Sequence, residues 1–532
     1  MKRYFILTIG LLFTLIAYAE DPIIIFKTKK AVGDTISLGI KGRDFLIEGT
    51  EEISRSNWLG MESVKYKLTS QTVTITGKVQ EFECATDVEL VFLDVSKSSG
   101  LEILNCSNNR LLESIDVSQN KNLRKLYLIS TGVTTIDVSG NSKLESLYGA
   151  YNQMTSLDLT QNTNLKDLNV LDNQIESLDL SNNPVLESIQ CESNPLKDLK
   201  LSNNEKLTEI YCDETLLTSI DVSGCSTLKV FNCSGCQLEI IDVSKNLMLR
   251  EFDCSRNQLE NLNVSNNKEL FYFSCSNNPL SQLDISENIQ LITLNCNHMN
   301  LSTLDLSENR NLTSVSCFNN RLKNIVLNAN QELRRLYCHN NELTSLDVSD
   351  TYIPILHLWG NRFSACGLDS LFNQLREIVI KEEPGHLPKK RLSIDLTPGI
   401  FIKAGEITNP GADGCREYIA TNKNWDVLDL NSNTPINNAG YYVCGESGTS
   451  TPEIEALFSI YPNPVYDRLN VESDRSIKSI TLYSLAGELC EKVRPVEQTD
   501  KCVLDLSDYP VGMYIVWIET SGGIRTQKII KK

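Results

Sequence analysis

The chain has 532 residues, a formal net charge of −18, 17 cysteines and four histidines. Its length exceeds what one hydrophobic core supports, so we expect several modules. The negative charge opposes contact with phosphate backbones, and no basic cluster is longer than Lys389-Lys390-Arg391, so we expect no nucleic-acid partner.

The N-terminal segment MKRYFILTIGLLFTLIAYA combines a basic start, an apolar run and a small-residue cleavage site. We expect a secretory signal peptide at 1–19 and no transmembrane segment after its removal. Residues 20–78 include ISLGI and TVTITGKV, whose alternating apolar residues predict a β-rich N-terminal cap.

A unit of 21 residues recurs between Val79 and Phe363, with the pattern L-x-x-L-x-C-S-x-N-x-L-x-x-L-D-V-S-x-N-x-x. This spacing predicts a β solenoid of the leucine-rich-repeat type, in which L-x-C forms a short strand and the strands stack into a parallel sheet. We expect 14 coils over 79–363. The L-D-V-S-x-N half predicts an opposite wall that is extended and not helical.

Ten cysteines occupy one inward strand position of the repeat. In other coils Leu128, Gly149, Val170 and Leu358 take this place, so the column is predicted to pack the core. Stacked Cβ atoms lie ~4.8 Å apart, further than the ~3.8 Å of a disulfide, and a straight line of sulfurs cannot surround zinc. We therefore expect thiols, with disulfide or metal binding as the alternatives. The column comprises Cys84, Cys106, Cys191, Cys212, Cys233, Cys254, Cys275, Cys296, Cys317 and Cys338.

Two asparagine columns follow the two halves of the unit, and their carboxamides are expected to bond the turning backbone of adjacent coils. Cys225, Cys236 and Met299 interrupt these columns. An aspartate column, represented by Asp116 and Asp242, is expected to bond nearby turns, with calcium bridging as the alternative.

Exposed residues beside the inward strand positions are the predicted binding site, on the concave face of the solenoid. Aromatic groups there can bury much area with little loss of entropy, and an arginine adds donors for carbohydrate or carboxylate. The alternative is that these side chains merely cover strand backbone. The candidates are Tyr127, Tyr148, Tyr151, Tyr211, Tyr272, Phe318, Arg335, Tyr337, His339, His357 and Trp359.

Catalytic or metal chemistry has little support in the sequence. His339 and His357 fall on adjacent coils but have no clear third ligand, so we predict no metal site. The hydrolase and phosphate-loop motifs are missing, so we expect neither an enzyme nor a cofactor.

The C-terminal third predicts an α/β cap at 364–444, a polar linker at 445–456 and an Ig-like β-sandwich at 457–532. A disulfide is expected among Cys366, Cys415 and Cys444, with the pairing open. Cys490 and Cys502 could bridge neighbouring strands.

Two resemblances add to these expectations. The YPNP opening, the turn at 484–487, the strand Gly512-Met513-Tyr514 and the basic end at 528–532 resemble the C-terminal sorting domain of type IX secretion cargo. That resemblance implies contact with the type IX secretion machinery, export to the surface of a Gram-negative bacterium, removal of the domain and attachment to lipopolysaccharide. The repeats with their cysteine column resemble internalin J-like bacterial leucine-rich-repeat proteins, which implies adhesion, host-cell contact or biofilm formation.

The sequence thus predicts an exported surface adhesin that binds a protein or glycan through its concave face. A passive matrix protein that acts by self-association and a secreted hydrolase are the alternatives.

Overall fold

The computed structural model describes residues 23–58, 61–85, 88–327, 330–376, 399–404, 407–409, 415, 418–421, 426–429, 434–435, 458–461, 464–484, 489–495, 499–520 and 523–532. The predicted signal peptide, the linker at 445–456 and Cys444 lie outside the described residues. The chain divides into two compact units, Met1–Cys338 and His339–Lys532, which are taken in turn.

The first unit begins with antiparallel β-structure. β2 pairs with β4 and β5, and β1 pairs with β5 and β6. β5 crosses the boundary predicted at 78 and 79, so the antiparallel strands and the first coil share one strand. The strands are β1 (Ile23–Thr28), β2 (Thr35–Glu48), β3 (Thr50–Trp58), β4 (Met61–Leu68), β5 (Thr72–Glu83) and β6 (Leu90–Asp94).

The coils that follow contribute one three-residue strand each to a parallel sheet. The sheet strands are β7 (Ile103–Asn105), β8 (Lys125–Tyr127), β9 (Ser146–Tyr148), β10 (Asp167–Asn169), β12 (Ser188–Gln190), β14 (Glu209–Tyr211), β15 (Val230–Asn232), β16 (Glu251–Asp253), β17 (Tyr272–Ser274), β18 (Thr293–Asn295), β20 (Ser314–Ser316) and β22 (Arg335–Tyr337). The opposite wall holds β11 (Ser177–Asp179), β13 (Asp198–Lys200), β19 (Thr303–Asp305) and β21 (Asn324–Val326).

The register of the parallel sheet follows the repeat. β5 pairs with β7 in parallel, and the central residues Leu104, Leu126 and Leu147 of β7, β8 and β9 are partners. These residues are fully buried, and apolar side chains fill the same place in later coils, as Phe231, Phe252 and others do. The predicted β solenoid with coils of about 21 residues is confirmed.

The opposite wall is extended, as its sequence predicts. β11 pairs with β13 and β19 pairs with β21, both in parallel, and turns connect the remaining coils. The described stretch 88–327 contains no helix. Buried side chains such as Val117 and Leu180 face inward from this wall.

The cysteine column consists of buried thiols. All ten of its residues lie in the described part of the chain, none is in a disulfide, and each is at most 1% exposed. Burial raises the pKa of Cys106 and Cys296 to about 12, so their thiols stay protonated.

The thiols of the cysteine column also contact the backbone of the next coil. The Sγ of Cys84 lies 3.5 Å from the carbonyl oxygen of Asn105, which also accepts the backbone N–H of Cys84 at 2.8 Å. Cys191 makes the same pair of contacts with Tyr211, with the Sγ at 3.5 Å. A thiol is a small apolar group with a weak S–H donor, so it suits this crowded position. The prediction of packing thiols is confirmed.

Asparagine side chains tie each coil to its neighbour. Asn109 donates from Nδ2 to the carbonyls of Cys84 and Cys106 at 2.9 and 2.8 Å, and its Oδ1 accepts the N–H of Leu90 at 2.8 Å. On the opposite wall, Asn141 donates to the carbonyl of the preceding Asn120 at 2.9 Å. The predicted bonds to the turning backbone are thus present, and they satisfy carbonyls that the fold buries.

The aspartate column forms turn hydrogen bonds. The Oδ1 of Asp116 accepts the N–H of Ser118 at 2.9 Å, and Asp242 does the same with Ser244 at 2.8 Å. Hydrogen bonds to Ser118 hold the pKa of Asp116 below its usual value. The predicted hydrogen bonds between the aspartates and the nearby turns are therefore present.

The second unit opens with parallel strands and a short helix. β23 pairs with β24 in parallel, and β24 pairs with β26. Ser364 caps α1 by accepting the N–H of Gly367 at 3.1 Å. Cys366 is disulfide-bonded, whereas Cys415 is a buried thiol. The elements are β23 (Ile355–His357), α1 (Ala365–Gln374), β24 (Gly399–Ala404), β25 (Ile407–Thr408), α2 (Tyr418–Thr421), β26 (Asp426–Asp429) and β27 (Thr434–Pro435).

The C-terminal strands differ from the Ig-like sandwich that the sequence predicts. They form one six-stranded antiparallel sheet and not two facing sheets. β29 pairs at its start with β28 and β31, shifts register between Glu472 and Ile477, and then pairs with β30 and β32. The strands are β28 (Phe458–Tyr461), β29 (Arg468–Ser484), β30 (Leu489–Val493), β31 (Thr499–Asp505), β32 (Gly512–Thr520) and β33 (Gly523–Lys531).

The correction has a physical reason. One long strand, β29, continues through the irregularity and pairs with strands on both sides of it, so all six strands belong to one hydrogen-bonded sheet. Apolar residues along it, including Leu469 and Ile480, are fully buried. The bridge considered between Cys490 and Cys502 is not formed, since both residues are thiols on strands that pair with β29.

Candidate functional site

The outward side of the parallel sheet in the first unit, here called the strand face, carries most of the predicted site residues. In each three-residue strand the central side chain is buried and the two flanking side chains face outward. The inward residues repeat from coil to coil, but the outward residues vary in size and charge. A uniform interior therefore supports a variable surface.

Tyr127 and Tyr148 stack on each other at the start of the strand face. Their ring centroids lie 4.9 Å apart with an interplanar angle of 5°. The pairing of β8 with β9 places them opposite each other. Burial is the main cause that raises the pKa of both tyrosines, so both hydroxyls are protonated at neutral pH. Tyr151 does not share their strand, because it lies in the following turn with φ 58° and is 52% exposed.

A hollow of about 560 Å³ lies beside Tyr127. Two rows of outward residues form much of its lining, with a contribution from β2 in the N-terminal antiparallel structure. Lys41 of β2 pairs with Glu81 of β5 at 2.6 Å, and Asn105 donates to Glu83 at 3.4 Å. The lining comprises Gly39, Ile40, Lys41, Glu81, Phe82, Glu83, Ile103, Asn105, Lys125 and Tyr127.

Half-buried acids surround Tyr211 in the middle of the strand face. Burial raises the pKa of Glu192 to about 6, and the nearby Asp213 charge adds to the effect. Burial also raises the pKa of Asp213, whose Oδ1 accepts a hydrogen bond from Asn232 at 2.8 Å. Tyr272 lies further along the face and is half-buried.

The remaining predicted residues of the first unit are Phe318, Arg335 and Tyr337. Phe318 packs edge-on against His298, with ring centroids 5.3 Å apart. Arg335 is exposed, and Phe318 and Tyr337 are half-buried.

His339, His357 and Trp359 form an aromatic cluster in the second unit. The imidazole of His339 stacks on Trp359 at 4.0 Å, and the two imidazole centroids lie 6.1 Å apart. Burial lowers the pKa of His357 to about 4. Trp359 is only 6% exposed, so the expectation of an exposed aromatic ring there is wrong. Both histidines pack on this ring, at 4.0 and 4.8 Å, which explains its cover.

Neither a metal centre nor a membrane helix is evident in the described part of the chain. Within it, no three His, Cys, Asp or Glu residues are grouped to hold a metal ion. No helix there has the length and apolar character needed to cross a bilayer.

The sequence interpretation missed the polar partners of the tyrosines. Glu83, Asn105 and Lys125 occupy outward positions equivalent to those of the predicted aromatic residues, but apart from Arg335 the prediction rests on aromatic side chains alone. The repeat register of the sequence could have identified Asn105, because it places Asn105 next to Tyr127. Lys41 had no such signal, since it comes from outside the repeats.

Comparisons with known proteins first define the class. The fold is that of a leucine-rich-repeat solenoid, and the chain is similar to the functional domain of InlJ from Listeria monocytogenes, described as including a cysteine ladder. The two share 20% identity over 87% of this chain and 93% of that one, with a TM-score of 0.55. A leucine-rich-repeat protein of Leptospira interrogans matches at 23% identity over 53% of this chain and 84% of its own, with a TM-score of 0.45.

A family model matches the residues of the C-terminal sheet. Residues 459–532 match the family model of the secretion system C-terminal sorting domain. This domain indicates export by type IX secretion to the cell surface of a Gram-negative bacterium. A search of curated protein sequences gave no match.

Proposed function

We propose that this protein is a surface-displayed, non-catalytic binding protein whose strand face holds a protein or glycan partner, with adhesion or biofilm formation as its role. The sorting domain supports display at the surface. In this proposal the antiparallel strands before the coils and the α/β segment after them cap the solenoid, and the cited outward residues belong to the binding surface.

One observation carries the proposal. The buried positions of the coils are nearly uniform, as the cysteine and asparagine columns show, while the last residue of the strand, which faces outward, changes from Tyr127 to Gln190 to Asp253. A scaffold that needed only to stack would place no demand on large aromatic groups there. Tyrosines on a rigid sheet can bury much contact area while losing little conformational entropy.

A cell-based comparison tests this role. A strain that lacks the chain is compared with a strain complemented by the full chain, for attachment to host epithelial cells and for biofilm mass. We expect complementation to restore at least one of the two. If the protein reaches the surface and neither property depends on it, the adhesive role is wrong. Aggregation of purified protein without any other partner would instead favour a self-associating matrix protein.

A further inference from the structure

We propose that the hollow beside Tyr127 is a binding site for a neutral oligosaccharide, with one sugar ring seated on the open face of the Tyr127 ring. This inference rests on the proposed function and names a ligand class and a place for it. The hollow lies wholly within the first unit, at the start of the strand face.

The strand register explains why one face of Tyr127 is available. Parallel pairing puts Tyr148 on one side of Tyr127 and Asn105 on the other. Tyr148 covers the first side by stacking at 4.9 Å. Asn105 is much shorter than a tyrosine, and both Asn105 and Tyr127 line the hollow. Tyr127 is therefore supported from behind and faces open space in front.

Such a supported ring suits a pyranose. The C–H bonds on one face of a sugar ring are apolar and carry slight positive charge, which complements the negative face of an aromatic ring. Stacking against Tyr148 restricts the ring before the ligand arrives, so less side-chain entropy is lost on binding.

The polar side chains that line the hollow can form hydrogen bonds with the hydroxyl groups of a sugar. Glu81 and Glu83 supply acceptors, Lys41 and Lys125 supply donors, and Asn105 supplies both. These groups surround an aromatic ring in a hollow of about 560 Å³, within the range of about 300–1,000 Å³ usual for small-ligand sites. A few polar groups around an apolar contact are the usual composition of such sites.

The charges of the lining favour a neutral ligand. Its two lysines and two glutamates balance, and Lys41 already pairs with Glu81 at 2.6 Å. An anionic sugar would meet Glu83 without a surplus of positive charge to offset the repulsion. A cationic peptide would likewise meet Lys125. The balanced lining therefore selects hydroxyl-rich, uncharged molecules.

The test measures binding of the full-length chain to an array of immobilised neutral hexose and N-acetylhexosamine oligosaccharides, with sialylated and sulfated ones alongside. We expect binding to neutral members. Tyr127→Ala and Asn105→Ala should each raise the Kd by about tenfold or more, which corresponds to about 1.4 kcal/mol. Tyr466→Ala removes a tyrosine that is 64% exposed in the C-terminal part of the chain, outside the strand face, and should leave the Kd unchanged.

Further variants separate binding from folding. Tyr127→Phe keeps the ring and should retain most binding, and the thermal unfolding of every variant is measured in parallel. Unchanged neutral-glycan binding in folded Tyr127→Ala, or binding of charged glycans alone, would overturn the site. Attachment to cells without binding to any glycan would overturn the ligand class and leave the proposed function standing. If the unmodified chain neither attaches to cells nor binds any glycan, the proposed function itself is wrong.

Discussion

The Sγ of Cys236 lies 3.1 Å from the Oγ1 of Thr215, one coil earlier. The same pair of positions is occupied by Thr131 and Asn152 near the start of the solenoid. There the Thr131 hydroxyl donates to the Oδ1 of Asn152 at 2.8 Å, and the backbone N–H of Thr131 donates to the same atom at 2.9 Å. Cys236 therefore replaces an asparagine in an arrangement that the chain otherwise completes with an amide.

We expect Cys236→Asn to stabilise the protein by about 1–2 kcal/mol, because the new carboxamide can make the bonds that Asn152 makes. Asn152 also donates to the carbonyls of Leu128 and Gly149 at 2.7 and 3.0 Å, which have counterparts in the coil of Cys236. Chemical denaturation measures the change. The reverse substitution, Asn152→Cys, is the matched control and should destabilise. A loss of stability in Cys236→Asn would contradict this account.

The half-buried Glu192 should make stability depend on pH. Burial raises its pKa to about 6 from an ordinary value of 4.5, and its Oε2 is buried without a hydrogen-bond partner in the described structure. The protonated form favours folding, so this contribution is fully present below pH 4.5 and is lost as the pH rises through 6.

Glu192→Gln should therefore raise the thermal midpoint above about pH 6 and have little effect below about pH 4.5. Solvent screening of this partly exposed group keeps the gain below about 1 kcal/mol. Thermal unfolding over the pH range gives the measurement, with the exposed Glu260→Gln as the control. A gain that is equal at all pH values would assign the effect to something other than the charge of Glu192.

The cysteine column predicts how many free thiols the denatured protein exposes. Denatured without a reducing agent, the protein should expose all ten ladder cysteines to alkylation, since none of them is in a disulfide. Peptide mapping by mass spectrometry identifies each modified residue. Cys366 should be alkylated only after reduction, and it serves as the internal control. Recovery of only one or two ladder thiols would contradict the packing role.

Removal of 457–532 should leave the protein in the periplasm, because these residues include the sorting domain at 459–532. Protease accessibility on intact cells and cell fractionation measure the location. A control variant with a deletion within the polar stretch at 445–456 should preserve surface display. Display of the chain without the C-terminal sheet would show that another signal directs export.

The sequence predicts the interior of this protein better than its surface. Leu104, Cys106 and Asn109 each have one environment that recurs in coil after coil, so their burial and bonds follow from the period alone. The outward positions have no such constraint. The sequence predicts an exposed Trp359, yet His339 stacks on it at 4.0 Å and His357 also packs against it, contacts that the repeat pattern does not encode.

Long-range pairing sets a second limit on prediction. The hollow beside Tyr127 includes Lys41, which reaches Glu81, 40 positions later in the chain, because β2 pairs with β5. The C-terminal sheet shows the same limit. Alternating apolar residues identify its strands, but the register shift in β29 after Glu472 decides that they form one sheet. Neither feature has a local signal in the sequence.

The most direct measurement compares two triple variants of the full-length chain for binding to its own bacterial cells and to host epithelial cells. Tyr148→Ala, Tyr211→Ala and Tyr337→Ala together remove rings from the strand face. Ile240→Ala, Leu247→Ala and Ile289→Ala together remove apolar side chains that are 77%, 58% and 49% exposed in the other half of the repeat. We predict that the strand-face variant loses binding to at least one cell type, while the other variant binds as the unmodified chain does. Equal binding by both folded variants would contradict the claim that the strand face holds the partner.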